Sequence, residues 1–314
     1  MVASKTKMGL PYAFFGLFIW VVALLPTVCF GKKLPIVCSI YPVADWVRQV
    51  GGEQVDVTVV LPAGASPHTF EPKPSMLKKF SSARIFFMIG AGLEFWADKF
   101  IRLSDANLLT VVLSEGISLI HTVDHHDDHK VRLDEADATD RHAPMANPHI
   151  WLDPVAAKLM VNTITASLSE VDNGHVEYYQ RRSRIYLDVL DRLDRHIGTI
   201  VESFSNKKYV SFHASWVYFA RRYGLESVGV IEATPGRNPS PIQIKHIVER
   251  IKKHHIQSVF AEPQLNPKVA EVIAKEAGVT MLILDPMGGP NLPGRRSYVD
   301  LMNYNVNVLK EAME

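Results

Sequence analysis

One long amphipathic stretch, His175 to Phe204, limits what this chain can fold into more than any other feature. Its apolar side chains recur every three or four residues, the spacing of one face of an α-helix: Tyr186, Val189, Leu190, Leu193, Ile197, Ile200, Val201 and Phe204. A helix of that length spans about 45 Å at 1.5 Å per residue. Because this exceeds one small lobe, we expect the helix to run along two compact lobes and join them.

The segments on both sides of this helix alternate between strands and helices. Strand patterns cover 34–40, 54–61, 83–89 and 108–113 before it, and 209–212, 227–231, 258–261 and 279–284 after it. Such alternation predicts parallel sheets with helices on both faces. We therefore predict an α/β fold of two similar parallel-sheet lobes bridged by one long α-helix. The predicted boundaries are 32–172 for the N-terminal lobe, 173–206 for the linking helix and 207–314 for the C-terminal lobe.

The first 31 residues have the pattern of a secretory signal peptide. Two lysines precede an uncharged run from Pro11 to Phe30, and Cys29 and Gly31 offer small residues before a cleavage point. The run is also about long enough for an uncleaved membrane anchor, but a proline near its end favours cleavage. Lipid anchoring at Cys29 is not expected, because Val28 is a poor match to the usual small residue. We therefore expect a periplasmic protein.

Charge and cysteine content exclude two classes of function. The chain carries 34 Lys and Arg against 33 Asp and Glu, a formal net charge of +1, which gives no argument for a nucleic-acid partner. Beyond the signal segment only Cys38 remains, so no internal disulfide and no thiolate zinc site can form. Any bound metal must be held by histidines and carboxylates.

Four residues of metal-ligand type fall where parallel sheets expose their ligand-binding edge. His68 follows the second strand, His213 and Asp285 follow later strands, and His149 lies just before a helix that begins at the N-cap Asp153. Each residue alone could equally be a loop, capping or turn residue. Together, two from each half predict one divalent metal in the cleft between the lobes.

The segment 121–146 breaks the strand and helix pattern. It mixes five histidines with seven acidic residues and has almost no apolar periodicity. Such a composition cannot build a packed core. We therefore predict that it is a mobile surface loop within the N-terminal lobe.

Four motifs in this order resemble the zinc/manganese solute-binding proteins of metal-uptake ABC transporters. They are 67–72 (PHTFEP), 147–154 (NPHIWLDP), 213–225 (HASWVYFARRYGL) and 284–286 (LDP). The resemblance extends over nearly all of the mature chain. It implies two α/β lobes bridged by a long helix, with the metal ligands at His68, His149, His213 and Asp285.

Ligand chemistry favours Zn²⁺ over Mn²⁺. Three imidazoles and one carboxylate suit tetrahedral zinc, whereas manganese prefers more oxygen donors. The manganese-binding relatives carry a glutamate at the position of His213. Some zinc-specific relatives lack the aspartate and complete the site with water, so Asp285 or water could be the fourth ligand. Glu71 and Glu262 could orient imidazoles from outside the site, or could be structural ion-pair acids.

The resemblance implies a periplasmic high-affinity zinc-binding protein that delivers Zn²⁺ to an ABC-type importer. Its partners would be the membrane permease and, through it, the ATPase, and we expect a monomer. Histidine-rich loops mark the zinc-type members, so 121–146 could collect zinc at low affinity, or could be a solvated insertion.

The alternatives are a zinc-dependent hydrolase, with Asp285 or Glu262 as general base, and a metal-binding adhesin or zinc buffer on the same fold. No HExxH motif and no phosphate-binding Walker motif is present. We therefore expect neither an enzyme nor the transporter ATPase itself.

Overall fold

The computed structural model describes residues 1–3, 32–104, 107–122, 145–232 and 237–314. Most of the predicted signal peptide and of the histidine-rich segment lies outside these residues. The chain divides into two units, Met1–Lys32 and Lys33–Glu314, and all the strands and helices given below belong to the second. None of the helices within the described residues is both long enough and apolar enough to cross a membrane.

The first parallel sheet lies near the N-terminus. Its strands are β1 (Leu34–Cys38), β2 (Val55–Val59), β3 (Ile85–Met88) and β4 (Leu109–Val112), in the order β2-β1-β3-β4. The helices between them are α1 (Tyr41–Gly51), α2 (Leu77–Ser82) and α3 (Ala97–Arg102). The largest of these, α1, buries Val43, Trp46, Val47 and Val50 against the sheet, which is the apolar spacing of one helix face.

Four elements connect this sheet to the second one. They are the two-residue strands β5 (His121–Thr122) and β6 (Met145–Ala146), which pair antiparallel, and the helices α4 (Pro154–Val171) and α5 (Val176–Glu202). The helix α4 begins where the sequence predicts, because the Asp153 carboxylate accepts a hydrogen bond from the backbone N–H of Val155.

The second parallel sheet follows α5. Its strands are β7 (Lys208–Ser211), β8 (Glu226–Val230), β9 (Ser258–Ala261) and β10 (Thr280–Ile283), in the order β10-β9-β7-β8. Its helices are α6 (Val217–Tyr223), α7 (Pro241–Lys253), α8 (Lys268–Ala277) and α9 (Tyr298–Met313). Gly224 and Gly278 end α6 and α8 in the left-handed conformation that favours glycine.

The two sheets have the same topology, which confirms the prediction of two similar parallel-sheet lobes. In each sheet the first strand lies between the second and the third, and the fourth lies at the far edge. The direction of winding therefore reverses between β1 and β3 and between β7 and β9. Ligands of such sheets bind beyond the carboxyl ends of the strands at this reversal.

The helix α5 is the long element that the sequence predicts. It has 27 residues and is therefore about 40 Å long. It packs against α1 and α4 of the first half and against α9 of the second. Its buried side chains form one stripe: Tyr179, Ser183, Tyr186, Leu190, Leu193, Ile197 and Val201.

Buried hydrogen bonds also fasten the two halves to each other directly. The Trp151 indole Nε1 donates to the carbonyl oxygen of Pro286 at 2.7 Å, and the Tyr298 hydroxyl donates to the carbonyl oxygen of Trp151 at 2.7 Å. The backbone N–H of Tyr298 donates to the Asp45 carboxylate at 2.9 Å. Because the C-terminal helix α9 begins at Tyr298, its start is tied to the first half of the chain.

An ion pair between α5 and α6 predicts a pH-dependent contribution to stability. Asp194 accepts hydrogen bonds from Arg222 Nε at 3.0 Å and Nη2 at 2.5 Å, and from the Tyr223 hydroxyl at 2.9 Å. Burial opposes ionisation, but these bonds and the charge of Arg222 outweigh it and lower the pKa of Asp194. We expect Asp194→Asn to lower the free energy of unfolding by about 1–3 kcal/mol at pH 7.

This difference should disappear in acid. A carboxylate whose pKa is lowered by folding stabilises the protein fully above its unfolded pKa of about 3.9, and the stabilisation is lost as the pH falls through the folded value. Urea unfolding of both proteins at several pH values measures the difference, with Asp188→Asn on the exposed face of α5 as the matched control. An Asp194→Asn effect that does not change with pH would contradict this account.

Candidate metal centre

Three of the four predicted ligands meet in one place. His68 lies in the loop after β2, His149 lies between β6 and α4, and His213 comes two residues after β7. The Nε2 atom of His149 is 3.2 Å from Nε2 of His68 and 3.1 Å from Nε2 of His213. One ring nitrogen from each histidine lies within 4.8 Å of the other two. The fold therefore gathers residues that are up to 145 positions apart in the chain.

The histidines line a narrow cleft that is shielded from water. His149 and His213 are 3% and 4% exposed, and His68 is half-buried. The space left open beside the rings has a volume of about 10 Å³, which is room for about one water-sized group. Burial, and then the charge that His213 would carry if protonated, lowers the pKa of His68 to about 3 and that of His149 well below its usual value. Both rings are therefore neutral and have a lone pair to offer.

Asn147 decides which nitrogen of His149 faces the cleft. Its Oδ1 accepts from the backbone N–H of His149 at 3.0 Å and from the ring Nδ1 at 2.9 Å, while its Nδ2 donates to the carbonyl oxygen of Ala214 at 2.7 Å. The two ends of the amide cannot be exchanged, because one faces donors and the other an acceptor. Nδ1 of His149 therefore carries the proton, and Nε2 presents its lone pair to the cleft.

Glu262 has the corresponding role for His213. Its Oε1 lies 2.9 Å from Nδ1 of His213, within ion-pair distance, although the contact does not have the geometry of a hydrogen bond. The same oxygen accepts a hydrogen bond from the Ser215 hydroxyl at 2.8 Å. A carboxylate can only accept, which favours a proton on Nδ1 and leaves Nε2 free for the cleft. The other acid considered for such a role, Glu71, is exposed on the surface.

The structure does not bring Asp285 into the group of histidines. Its Oδ1 accepts from Gln264 Nε2 at 2.8 Å and from the backbone N–H groups of Met287 and Gly288 at 3.0 and 3.1 Å. Its Oδ2 lies 2.9 Å from Arg295 Nη1. Asp285 follows the edge strand β10, two strands from β7 and His213, which corresponds to about 10 Å of sheet.

Sequence reasoning missed three residues of this region: Asn147, Gln264 and Arg295. Asn147 could have been found, because an asparagine side chain commonly accepts a hydrogen bond from the backbone N–H two residues on, which here belongs to His149. Arg295 pairs with Asp285 across a ten-residue loop, and Gln264 bonds Asp285 from the neighbouring strand end. Neither pairing has a signal in the spacing of the sequence.

The separation of the three Nε2 atoms suits a small cation. Four ligands arranged tetrahedrally at a zinc–nitrogen distance of about 2.0–2.1 Å are about 3.3 Å from one another. The two separations between ligand atoms at the cleft, 3.1 and 3.2 Å, are close to this value. Neutral imidazole nitrogens with lone pairs facing each other at that distance repel. A cation among them would turn this repulsion into attraction.

Comparison with known proteins gives a consistent result along nearly the whole chain. The family model described as ZnuA, zinc-uptake complex component A periplasmic, matches residues 36–312. A crystal structure of ZnuA superposes with a TM-score of 0.79 at 30% identity, over 90% of this chain and 100% of that one.

Two relatives whose names refer to zinc are similar to this chain in sequence. The high-affinity zinc uptake system protein ZnuA of Bacillus subtilis is 27% identical over 90% of this chain and 88% of its own length. The zinc-binding protein AdcA of Streptococcus pyogenes is 27% identical over 93% of this chain, which spans only 58% of AdcA.

Proposed function

The chain belongs to the family of the periplasmic component A of zinc-uptake complexes, and we propose that it captures Zn²⁺ outside the cytoplasm and delivers it to an ABC-type importer. The observation that carries this proposal is the convergence of three Nε2 atoms at 3.1 and 3.2 Å in a buried cleft. In this proposal His68, His149 and His213 hold the ion, which is cargo rather than a catalytic group.

The donor set supports zinc over manganese as the cargo. All three ligand atoms are imidazole nitrogens, which zinc accepts readily, whereas manganese favours carboxylate, carbonyl and water oxygens. The nearby carboxylate of Asp285 is already engaged by four protein donors. Without that carboxylate the three histidines offer manganese no oxygen ligand.

The cleft supports capture rather than catalysis. A zinc hydrolase needs an open ligand position and room beside it for an organic substrate. The histidine cleft, at about 10 Å³, has room for an ion and not for a substrate. The related proteins named above are also zinc-uptake and zinc-binding proteins.

Delivery requires partners outside this chain. We propose that the protein acts as a secreted monomer of the periplasm and docks on the permease of the importer, which works with its ATPase. The buried bonds of Trp151 and Tyr298 hold the halves together, so release should depend on movement of the loop that carries His68 rather than on wide opening of the lobes.

Metal analysis tests the proposal. Protein purified without added metal, and treated with a chelator that strips weak sites, should retain about one zinc and no manganese per chain. Calorimetry on the metal-free protein should give an affinity for Zn²⁺ at least 100-fold above that for Mn²⁺, since the site has no free carboxylate to offer. Equal or tighter binding of manganese would overturn the proposed cargo.

A growth experiment tests delivery and separates it from adhesion or zinc buffering. Cells without this protein should need more zinc in the medium, and the wild-type chain should restore growth at low zinc. The His213→Ala chain, expressed to the same level, should not. Normal growth without the protein at limiting zinc would contradict a role in uptake.

A further inference from the structure

Gln264 lines the histidine cleft, and the oxygen of its side-chain amide accepts no hydrogen bond from the described residues. The residue lies beside His68, His149 and His213 in the wall of the cleft. Its Oε1 atom is buried and has no hydrogen-bond partner among the described residues, while its Nε2 donates to Asp285. Buried acceptors without a donor are rare and call for an explanation.

The orientation of this amide follows from its neighbour. An ionised carboxylate only accepts hydrogen bonds, so the NH₂ end of Gln264 must face Asp285 and the oxygen must face the other way. Asp285 itself does not line the cleft, whereas Gln264 does. Oε1 of Gln264 therefore lies at the end of the amide that does not face Asp285, on a side chain that lines the cleft.

The carboxylate of Asp285 cannot easily rotate away from the side-chain amide of Gln264. Its carboxylate is 0% exposed and also accepts from two backbone N–H groups and from Arg295. The Arg295 guanidinium is itself held, because it lies over the ring of Tyr304 at 4.6 Å from the ring centre. A chain of contacts thus runs from Tyr304 and Arg295 through Asp285 to Gln264.

The coordination chemistry leaves a place for such an acceptor. Three imidazoles fill three of the four positions of zinc, and water commonly takes the fourth. Water bound to a cation is a strong hydrogen-bond donor that needs an acceptor nearby. Among the described residues, Oε1 of Gln264 is a buried side-chain acceptor of the cleft wall that lacks a donor, and the hydrogen bond from its Nε2 to Asp285 holds the amide in place.

We propose that Gln264 Oε1 accepts a hydrogen bond from the water at the fourth position of the bound ion, and that Asp285 is a positioning residue for Gln264 rather than a metal ligand. This inference rests on the proposed capture of zinc. It assigns a function to the unsatisfied amide oxygen of Gln264, and it explains why the carboxylate of Asp285, which the sequence suggests as a ligand, accepts hydrogen bonds from protein donors instead.

The first test removes the acceptor and keeps the size of the side chain. Gln264→Met should weaken zinc binding, measured by calorimetry with chelator competition, by about 10–100-fold, the usual loss when a group outside the ligands is removed. The matched control is Gln257→Met, at an exposed position before β9, which should bind as the wild type does. Unchanged affinity in Gln264→Met would overturn the proposal.

The second test separates the two roles of Asp285. Asp285→Asn keeps an oxygen that can accept the hydrogen bond from Gln264. It loses the negative charge that would bind a metal ion and that pairs with Arg295. If Asp285 is a positioning residue, the Asp285→Asn protein should unfold at a lower temperature than the wild type and should bind zinc with an affinity within about threefold of the wild-type value. A loss of more than about 100-fold in correctly folded protein, by circular dichroism, would make Asp285 a ligand and overturn the proposal.

Cobalt gives a readout that does not depend on affinity. In the Co²⁺-loaded wild type, fluoride, a single-atom anion of about the size of water, should replace the water and change the visible spectrum, and it should do the same in Gln264→Met. A spectrum unaffected by fluoride in both proteins would show that no replaceable water is present, against the proposal. Failure of the wild type to bind zinc would instead refute the proposed function itself.

Discussion

His213→Ala should weaken zinc binding by more than about 100-fold, beyond the loss expected for any group outside the ligands. His213 supplies one of three Nε2 atoms, at 3.1 Å from that of His149. Its removal leaves two imidazoles, which cannot enclose a tetrahedral ion. Calorimetry on metal-free protein, with chelator competition for the wild type, measures the difference.

A second histidine separates binding from folding in this experiment. His213→Ala also leaves Glu262 buried without its ring partner, so some loss of stability is expected. His68 is half-buried in a loop, and His68→Ala should lose zinc affinity to a similar extent with little change in thermal unfolding of the metal-free protein. His196→Ala, on the exposed face of α5, is the control. Wild-type affinity in either ligand variant would refute the three-histidine site.

Trp151→Ala should lower the free energy of unfolding by about 3–5 kcal/mol, the range for removal of a large buried aromatic side chain. Trp151 is 0% exposed, and its indole N–H donates to Pro286 across the two halves. Its ring also packs against that of His149, with 5.0 Å between ring centres. Zinc affinity should therefore fall together with stability. Urea unfolding and calorimetry measure the two effects.

The comparison with Phe80 shows whether this coupling is specific. Phe80 is also 0% exposed, but it packs among Phe86, Trp96 and Phe100 rather than near the histidines. Phe80→Ala should lose a similar amount of stability and keep the zinc affinity of the wild type. Equal losses of affinity in both variants would mean that Trp151 acts only through general stability.

The features of the fold that depend on local periodicity could be predicted from the sequence. The stripe of α5 and the strands of both sheets follow from the spacing of apolar residues, and the start of α4 follows from Asp153. The helix α3 is shorter than predicted: the sequence suggests 94–103, but the helix covers Ala97–Arg102. The Glu94 carboxylate accepts hydrogen bonds from the backbone N–H groups of Ile89 and Gly90 and so belongs to the turn that precedes the helix.

The contacts that depend on strand order could not be predicted. The pattern of residues places Asp285 after a strand, as it does His213, but it does not say that β9 lies between β10 and β7. The three histidines could be found because each stands in a distinctive motif at a strand or helix end. Gln264 has no such context, and its importance appears only from the hydrogen bond that it makes and the one that it lacks.

The pairing of β5 with β6 has a consequence for how such proteins diverge. His121 lies opposite Ala146, and the backbone N–H of Asn147 donates to the carbonyl oxygen of Ile120 at 2.7 Å. The residues on the two sides of the segment 123–144 are thus paired with each other. Residues can be gained or lost between the two strands while His149 stays anchored. The composition of that segment, as well as its length, can therefore change during evolution without moving the ring of His149.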